Sequence, residues 1–176
     1  MTEFKNIIFL DIDGVLNFQL HYESEQFKAY KQLEKDDKDR LKYQLSQIST
    51  ERVQWLNSLC KETNSVIVVS STWRLGKTVE ELQHLFDAAG GTFKVLDKTG
   101  HDPCRVRGVE IQQWLNENCM KYFGVNYYDF YRYAIIDDDS DMLLNQANHF
   151  FQTDSFSGLT PNICYRIKRF FMHETF

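Results

Sequence analysis

Two aspartates separated by one residue, Asp11 and Asp13, directly follow a short apolar run. Carboxylates this close repel each other, and their burial is costly unless a cation compensates them. A divalent cation such as Mg²⁺ binds carboxylate oxygens and keeps its other positions for waters and phosphate oxygens. The pair therefore predicts a Mg²⁺ site that accepts a phosphate group. On these residues alone, a solvated turn or a helix cap is the alternative.

Two further polar clusters follow apolar runs later in the chain. Residues 137–141 carry four carboxylates in five positions, and these charges need a cation or solvent. Ser70, Ser71 and Arg74 follow the run at 65–69. Hydroxyls can donate to a phosphoryl oxygen, and arginine binds it with a two-pronged fork, so we expect Ser71 and Arg74 to contact substrate. Hydroxyl residues after a strand are also typical of a helix cap.

The apolar runs themselves predict the strands that position these clusters. Short runs bounded by turn residues predict buried strands at residues 7–10, 65–69, 92–96, 133–136 and 148–151. Helical spacing of apolar residues lies between them, which predicts an α/β fold with a mostly parallel sheet. Because ligands of such sheets bind at the carboxyl ends of the strands, we expect the three polar clusters to meet there.

The chain of 176 residues is predicted to form one domain over 1–176, with a small cap-like insertion at about 18–50. The insertion is polar and is expected to form one or two exposed helices at the mouth of the site. Its lysines at 28, 31, 35 and 38 are expected to meet an anionic substrate, unless the segment is only a solvated face. The aromatic-rich connector at 124–132 is expected to pack against the core.

Composition excludes several classes of protein. The formal charge of −5 argues against a general nucleic-acid coat but not against a local basic groove. The apolar runs are too short for a membrane span, so no membrane partner is expected. The first residues show no signal-peptide pattern, and the four cysteines are scattered. We therefore expect free thiols and a cytoplasmic location.

The order of the motifs resembles the haloacid dehalogenase (HAD) superfamily of Mg²⁺-dependent phosphohydrolases. The motifs are DIDGVLN from residue 11, SSTWR from residue 70, RGVEIQQWL from residue 107 and IIDDDSD from residue 135. Together with Thr153, Asp154 and the GLT at 158–160, they resemble the small HAD domains associated with RNA-repair proteins and phages. The resemblance implies a three-layer Rossmann-like fold with an insertion after the first strand.

The resemblance also implies catalytic roles for the first two aspartates. Asp11 matches the family's nucleophile, which attacks phosphorus and forms an aspartyl-phosphate. Asp13 matches the general acid that protonates the leaving oxygen and then activates water. These roles imply a phosphatase rather than a dehalogenase.

Phosphate-binding roles carry over onto one hydroxyl and one basic residue. Ser70 lies where the family's phosphate-binding hydroxyl falls, with Ser71 as the alternative. Arg107 is our choice for the basic residue that balances the phosphate and nucleophile charges, where the family more often has lysine. Lys98 and Arg105 remain alternatives.

Metal-binding roles carry over onto the acidic residues. Asp138 matches the metal ligand of the later strand and Asp137 lies beside it, while Asp141 is expected to orient them. Asp11 would contribute its carboxylate and Asp13 its main-chain carbonyl. The implied cofactor is Mg²⁺.

The expected substrate is a phosphorylated molecule, and an insertion this short suits a macromolecular phosphate such as a nucleic-acid end or a phosphoprotein. A nucleotide or sugar phosphate is the alternative if the insertion folds over the site. Two non-catalytic interpretations also remain. One is a receiver-like signalling domain, but such domains carry an acidic pair at the first strand and the phospho-acceptor on a later strand, which fits the DxD and DDD motifs of this chain less well. The other is a silent interaction module, which the intact Asp13 disfavours.

Overall fold

A computed structural model describes residues 5–126, 130 and 132–173. The strands are β1 (Asn6–Leu10), β2 (Ser65–Val69), β3 (Val95–Lys98), β4 (Tyr133–Asp137) and β5 (Phe150–Gln152). The helices are α1 (Glu25–Lys31), α2 (Arg40–Gln47), α3 (Thr50–Thr63), α4 (Val79–Ala88), α5 (Arg107–Phe123) and α6 (Pro161–His173). Short 3₁₀ helices lie at Gln19–Glu23, Lys35–Asp37, Thr72–Arg74 and Leu144–His149. The expected packing of the connector at 124–132 falls partly on residues outside the described ranges.

The described strands form one parallel sheet in the order β3-β2-β1-β4-β5. Leu10 of β1 lies opposite Val69 of β2 on one side and Ile136 of β4 on the other. The chain moves from β1 outward to β3 and then returns to β4 on the other side of β1. Ligands of such sheets bind where the strand order reverses, which here lies between the carboxyl ends of β1 and β4.

Helices cover both faces of the sheet, which confirms the predicted three-layer α/β fold. Ile8 and Leu10 belong to a core shared with α3, α4 and α6, whereas Ile7 and Phe9 pack with α5 on the opposite face. This division follows from the strand geometry, because successive side chains point to opposite faces. Within the described part of the chain, no helix is both long and apolar enough to cross a membrane.

Local capping explains where the helices beside the site begin and end. The Ser49 side chain accepts from the main-chain N–H of Arg52 at the start of α3, and Asn64 ends this helix in a left-handed conformation. Thr78 and Glu81 form a reciprocal capping box at the start of α4. Each cap satisfies main-chain groups that have no partner inside the helix.

The insertion is held together by buried polar contacts. His21 Nε2 donates to the main-chain carbonyl of Ser46 at 2.8 Å, which joins the first 3₁₀ helix to α2. The Gln26 amide donates to the carbonyls of Leu45 and Ile48 at 3.0 and 2.7 Å. These bonds fix α1 against α2, so the insertion has a defined shape.

Two outer strands begin later than predicted. β3 begins at Val95 rather than at residue 92, because the buried Phe93 ring turns inward against Phe86, with ring centroids 5.3 Å apart. β5 begins at Phe150, because the preceding residues close a 3₁₀ helix that ends at His149. The central strands, which position the site, lie where the sequence predicts them.

Candidate active site

The carboxyl ends of β1 and β4 bring three carboxylates together. Asp11 follows β1 and its main-chain N–H donates to the carbonyl of Ile136 at 3.0 Å, while Asp137 ends β4. Asp11 and Asp137 are only 5% and 1% exposed. One oxygen each of Asp11, Asp137 and Asp138 lie within 4.8 Å of one another. We call these three residues the acidic cluster.

Arg107, in the first turn of α5, joins this cluster to the neighbouring strand end. Its Nη2 lies 3.2 Å from Asp11 Oδ1, and its Nε lies 3.1 Å from Asp137 Oδ2. Its Nη1 donates to the main-chain carbonyl of Ser70 after β2. One guanidinium therefore connects the carboxyl ends of three adjacent strands.

The two alternative basic residues lie elsewhere. Lys98 Nζ donates to the main-chain carbonyls of Arg74 and Lys77. Arg105 is exposed in the loop before α5. Of the three candidates, Arg107 is the one whose side chain contacts the acidic cluster.

Asp141 fixes the start of α5 and thereby the position of Arg107. The preceding residue, Val106, has no side-chain acceptor to cap the helix. Instead, Asp141 Oδ2 accepts from the main-chain N–H of Arg107 at 2.8 Å, and its carbonyl accepts from Gly108 at 3.2 Å. Asp141 thus acts as a helix cap supplied from the acidic loop, and its hydrogen bonds reach the main chain of α5 and not the carboxylates that it was expected to orient.

Gly14 allows Asp138 to approach the first loop. Its φ is +68°, and a Cβ at this position would lie 2.1 Å from Asp138 Cγ. The Gly14 carbonyl accepts from Thr153 Oγ1 at 2.8 Å, and the Asp138 carbonyl accepts from the Gln152 amide at 2.8 Å. Gln152 and Thr153, at the end of β5, therefore support both loops. This contact gives Thr153, one of the late motif residues, a structural role.

Among the described residues, the three carboxylates of the acidic cluster outnumber the one guanidinium that contacts them. Burial raises the pKa of Asp11 to about 8, with a further contribution from Asp137, while Arg107 and a hydrogen bond from Ser71 oppose the shift. Burial likewise raises the pKa of Asp137 to about 6 against the opposing charge of Arg107. One arginine leaves this cluster undercompensated, and its all-oxygen donor set suits a hard cation such as Mg²⁺.

Asp13 is exposed and is held by neutral donors. Trp73 Nε1 lies 3.0 Å from both of its carboxylate oxygens, and the Asn17 amide donates to Oδ1 at 2.8 Å. The Tyr22 hydroxyl of the insertion donates to Asn17 Oδ1 at 3.1 Å. Partial desolvation raises the pKa of Asp13, whereas the Trp73 hydrogen bond and the charge of Arg107 oppose this shift.

The two serines after β2 are both fully buried but differ in their partners. The Ser71 hydroxyl is hydrogen-bonded to Asp11 and accepts from the main-chain N–H of Trp73. Ser70 Oγ has no hydrogen-bond partner among the described residues, although it is inaccessible to solvent. A buried hydroxyl without a partner is costly, and Ser70 Oγ is such an unsatisfied group. Both serines therefore remain candidates for binding phosphate.

Arg74 is 2% exposed, and each of its five N–H groups donates within the protein. The acceptors are the main-chain carbonyls of Thr99, Ser70, Ser71 and Gly100 and the carboxylate of Glu110. No donor is left for a substrate in this arrangement. The predicted substrate contact of Arg74 thus finds no support in its hydrogen bonds, which instead shape the loop that carries Ser70 and Ser71.

Glu110 and Trp73 are site residues that the motif analysis did not assign. Glu110 is 3% exposed and lies 2.7 Å from Arg74 Nη2 and 3.3 Å from Arg107 Nη1. The three-residue spacing from Arg107 to Glu110 on a helix was a signal that could have found this pair. No comparable spacing relates Trp73 to Asp13, which lie 60 residues apart.

Comparisons with curated proteins and with solved structures gave no match. A family model described as the HAD domain in Swiss Army Knife RNA repair proteins matches residues 7–163. The matched span begins in β1, ends in α6 and includes the acidic cluster, Asp13, both serines and Arg107. A HAD domain indicates a phosphohydrolase in general, which agrees with the motif order. The chain belongs to the family of HAD domains of Swiss Army Knife RNA repair proteins.

Proposed function

We propose that this protein is a Mg²⁺-dependent phosphatase that hydrolyses a phosphate monoester through an aspartyl-phosphate on Asp11. The observation that carries the proposal is the contact of one guanidinium, that of Arg107, with Asp11 and Asp137 beside the third carboxylate, Asp138. This arrangement supports the proposal because it brings the carboxylate proposed as nucleophile beside two further carboxylates proposed to bind the cation and beside a fixed positive charge.

The acidic cluster would hold the metal, together with the main-chain carbonyl of Asp13. The fit rests on three carboxylate oxygens within 4.8 Å of one another, with Arg107 as the cation in contact with two of these residues. When bound, Mg²⁺ supplies positive charge that stabilises the phosphoryl oxygens in the transition state.

In the first half-reaction, a carboxylate oxygen of Asp11 forms a bond to phosphorus while the ester P–O bond breaks. Asp13 gives its proton to the departing oxygen, which leaves as an alcohol. Arg107 neutralises charge shared by the nucleophile and the phosphoryl group. Ser70 and Ser71 supply hydroxyl donors from the neighbouring strand end, and Arg74 holds the loop on which they lie.

In the second half-reaction, water attacks the phosphorus of the aspartyl-phosphate. Asp13 is now a carboxylate and takes a proton from this water, which regenerates the acid. The P–O bond to Asp11 breaks, inorganic phosphate is released, and the nucleophile returns as a carboxylate. The same side chain therefore serves as acid and then as base.

The proposed substrate is the terminal phosphate of a nucleic acid. Asp13 is exposed, so a leaving group protonated there can extend into solvent instead of being enclosed. The family description names RNA repair proteins, which favours RNA over other phosphorylated molecules as the substrate. The short insertion is also compatible with a macromolecular substrate.

A phosphatase screen with and without Mg²⁺ tests the proposal. It compares oligonucleotides phosphorylated at either end with nucleotides, sugar phosphates, phosphopeptides and an aryl phosphate. We expect multiple turnovers that require Mg²⁺, are lost in Asp11→Asn and persist in Asp36→Asn, which changes an exposed aspartate of the insertion. No turnover of any ester would contradict the proposal, and a stable phosphoprotein without turnover would favour a receiver-like role.

A further inference from the structure

A groove lies between α2 of the insertion and the loop that follows β2. It has a volume of about 290 Å³ and is lined by Arg40, Tyr43, Gln44, Gln47, Thr72, Trp73 and Lys77. We call it the Arg40–Trp73 groove. A second hollow of about 270 Å³ shares Arg40, Gln44 and Lys77 and continues toward α4. The two hollows therefore share a pair of cations, Arg40 and Lys77.

Trp73 connects this groove directly to the proposed chemistry. Its indole N–H donates to both oxygens of Asp13, and the same side chain lines the groove. Asp13 is the residue proposed to protonate the leaving group. The groove therefore begins where the non-phosphate part of a substrate must lie.

Arg40 and Lys77 give the groove a local positive charge in an acidic protein. Neither cation takes part in the ion pairs found among the described residues. Burial and the charge of Arg40 lower the pKa of Lys77, so the two cations are close enough to repel. Glu81 raises the pKa of Lys77, but the Glu81 carboxylate also accepts from the main-chain N–H of Thr78 at the start of α4. Two such cations are complementary to a phosphate.

Three lysines of the insertion contact their own segment, and Lys77 also has a local contact, since its Nζ donates to the main-chain carbonyl of Trp73 at 3.0 Å. Lys28 pairs with Glu25 at 3.0 Å, and the ammonium groups of Lys31 and Lys38 lie 4.8 and 5.7 Å from the ring centroids of Phe27 and Tyr30. The insertion therefore presents Arg40 to the groove, while these lysines are occupied locally.

The groove also offers aromatic surface beside the cations. Tyr43 is 49% exposed, and Trp73 is partly exposed. Aromatic rings next to Arg and Lys are the usual means of holding single-stranded nucleic acid, because bases stack on the rings and the cations follow the backbone.

We propose that the Arg40–Trp73 groove binds the single-stranded end of a nucleic acid whose terminal phosphate is hydrolysed at Asp11. Tyr43 and Trp73 stack on the terminal bases, and Arg40 and Lys77 contact the next backbone phosphates. This inference rests on the proposed phosphatase function and names the substrate class of the same site.

The test combines binding with kinetics. Binding of a short fluorescent single-stranded oligonucleotide phosphate is measured with Asp11→Asn protein, with and without the double change Arg40→Gln/Lys77→Gln. The matched control, Lys61→Gln/Arg169→Gln, removes the same charge from exposed positions on α3 and α6. A third variant, Tyr43→Ala, tests stacking against Tyr165→Ala, which changes an exposed tyrosine of α6.

We expect Tyr43→Ala to weaken oligonucleotide binding by about 5-fold or more. The double change Arg40→Gln/Lys77→Gln should weaken binding further than Tyr43→Ala does. Loss of two phosphate contacts should reduce the slope of log K against log salt by about 1.4, since each contact to a single strand contributes about 0.7. With active protein, the ratio of kcat/KM for the oligonucleotide to that for an aryl phosphate should fall by about 10-fold. The control variants Lys61→Gln/Arg169→Gln and Tyr165→Ala should leave the affinity, the salt slope and the ratio of kcat/KM values near those of the parent protein.

Equal binding by the groove variants and their controls would overturn the inference, even if aryl phosphate is still hydrolysed. A phosphopeptide bound as tightly and weakened equally by the same changes would overturn the assignment to nucleic acid. If the wild type hydrolyses nothing, the proposed function is wrong, and the binding measurements alone then decide for or against the groove.

Discussion

The indole N–H of Trp73 donates to both carboxylate oxygens of Asp13, at 3.0 Å from each. The amide of Asn17 donates to one of the same oxygens at 2.8 Å. Asp13 is otherwise exposed, so these two neutral donors determine where its carboxyl group points. Trp73 is therefore a positioning residue for the proposed acid, and it links that acid to the substrate groove.

Replacing this donor should affect catalysis according to the leaving group. We expect Trp73→Phe to lower kcat/KM, which reports the first half-reaction, by about 10-fold for an alkyl phosphate, a part of the roughly 100-fold or greater contribution typical of general acids. The loss should be smaller for p-nitrophenyl phosphate, because nitrophenolate departs without a proton. Asp13→Asn should show the same contrast in kcat/KM more strongly, whereas its kcat should fall for both substrates because they share the aspartyl-phosphate. Trp55→Phe on α3 serves as the control. Equal losses for both substrates would argue against an acid positioned by Trp73.

Arg74 should affect stability before it affects substrate binding. Arg74→Met leaves the buried Glu110 without its 2.7 Å partner, and we expect the free energy of unfolding to fall by about 3–5 kcal/mol. Urea unfolding measures this loss, and Arg169→Met, an exposed arginine on α6, should change stability by no more than about 0.5 kcal/mol. A fully stable Arg74→Met protein with a raised KM would instead return Arg74 to substrate binding.

The sequence predicted which strand ends meet but not how the side chains between them are bonded. Asp11 and Asp137 follow buried apolar runs, and parallel strands align their carboxyl ends, so their proximity followed from local pattern and general topology. The hydrogen bonds of Arg74 depend on the conformation of the loop at Thr99, which no local spacing encodes. The start of β3 was mispredicted for a similar reason, because the inward turn of Phe93 against Phe86 is a tertiary contact that overrides strand propensity.

Gly14 should be essential for the metal site because of its contact with Asp138. Gly14→Ala places a Cβ 2.1 Å from Asp138 Cγ at a φ of +68°, so the carboxylate must move. We expect activity to fall by about 100-fold, the scale of a displacement of about 1 Å, and stabilisation by Mg²⁺ in thermal unfolding to weaken.

Gly124 provides a matched control for this change. Its φ is +70°, and a Cβ added there would meet no atom within 4 Å among the described residues beyond its own helix and chain neighbours. Gly124→Ala therefore incurs the same backbone strain without the clash. We expect this variant to lose about 1–2 kcal/mol of stability yet keep its activity and its response to Mg²⁺. Equal loss of activity in both variants would show that backbone strain, and not the position of Asp138, is responsible.

The most direct measurement is to locate the phosphoryl group on the protein during turnover. The Asp13→Asn variant should accumulate the intermediate from p-nitrophenyl phosphate, since departure of nitrophenolate needs no acid whereas hydrolysis of the aspartyl-phosphate needs the base. After an acid quench in the presence of Mg²⁺, peptide mass spectrometry should find one phosphoryl group on Asp11 and none in the Asp11→Asn/Asp13→Asn protein. A phosphoryl group on Asp137 or Asp138 would contradict nucleophilic catalysis by Asp11. Turnover by the wild-type protein, with no phosphorylated peptide found in either the wild type or Asp13→Asn, would contradict it as well.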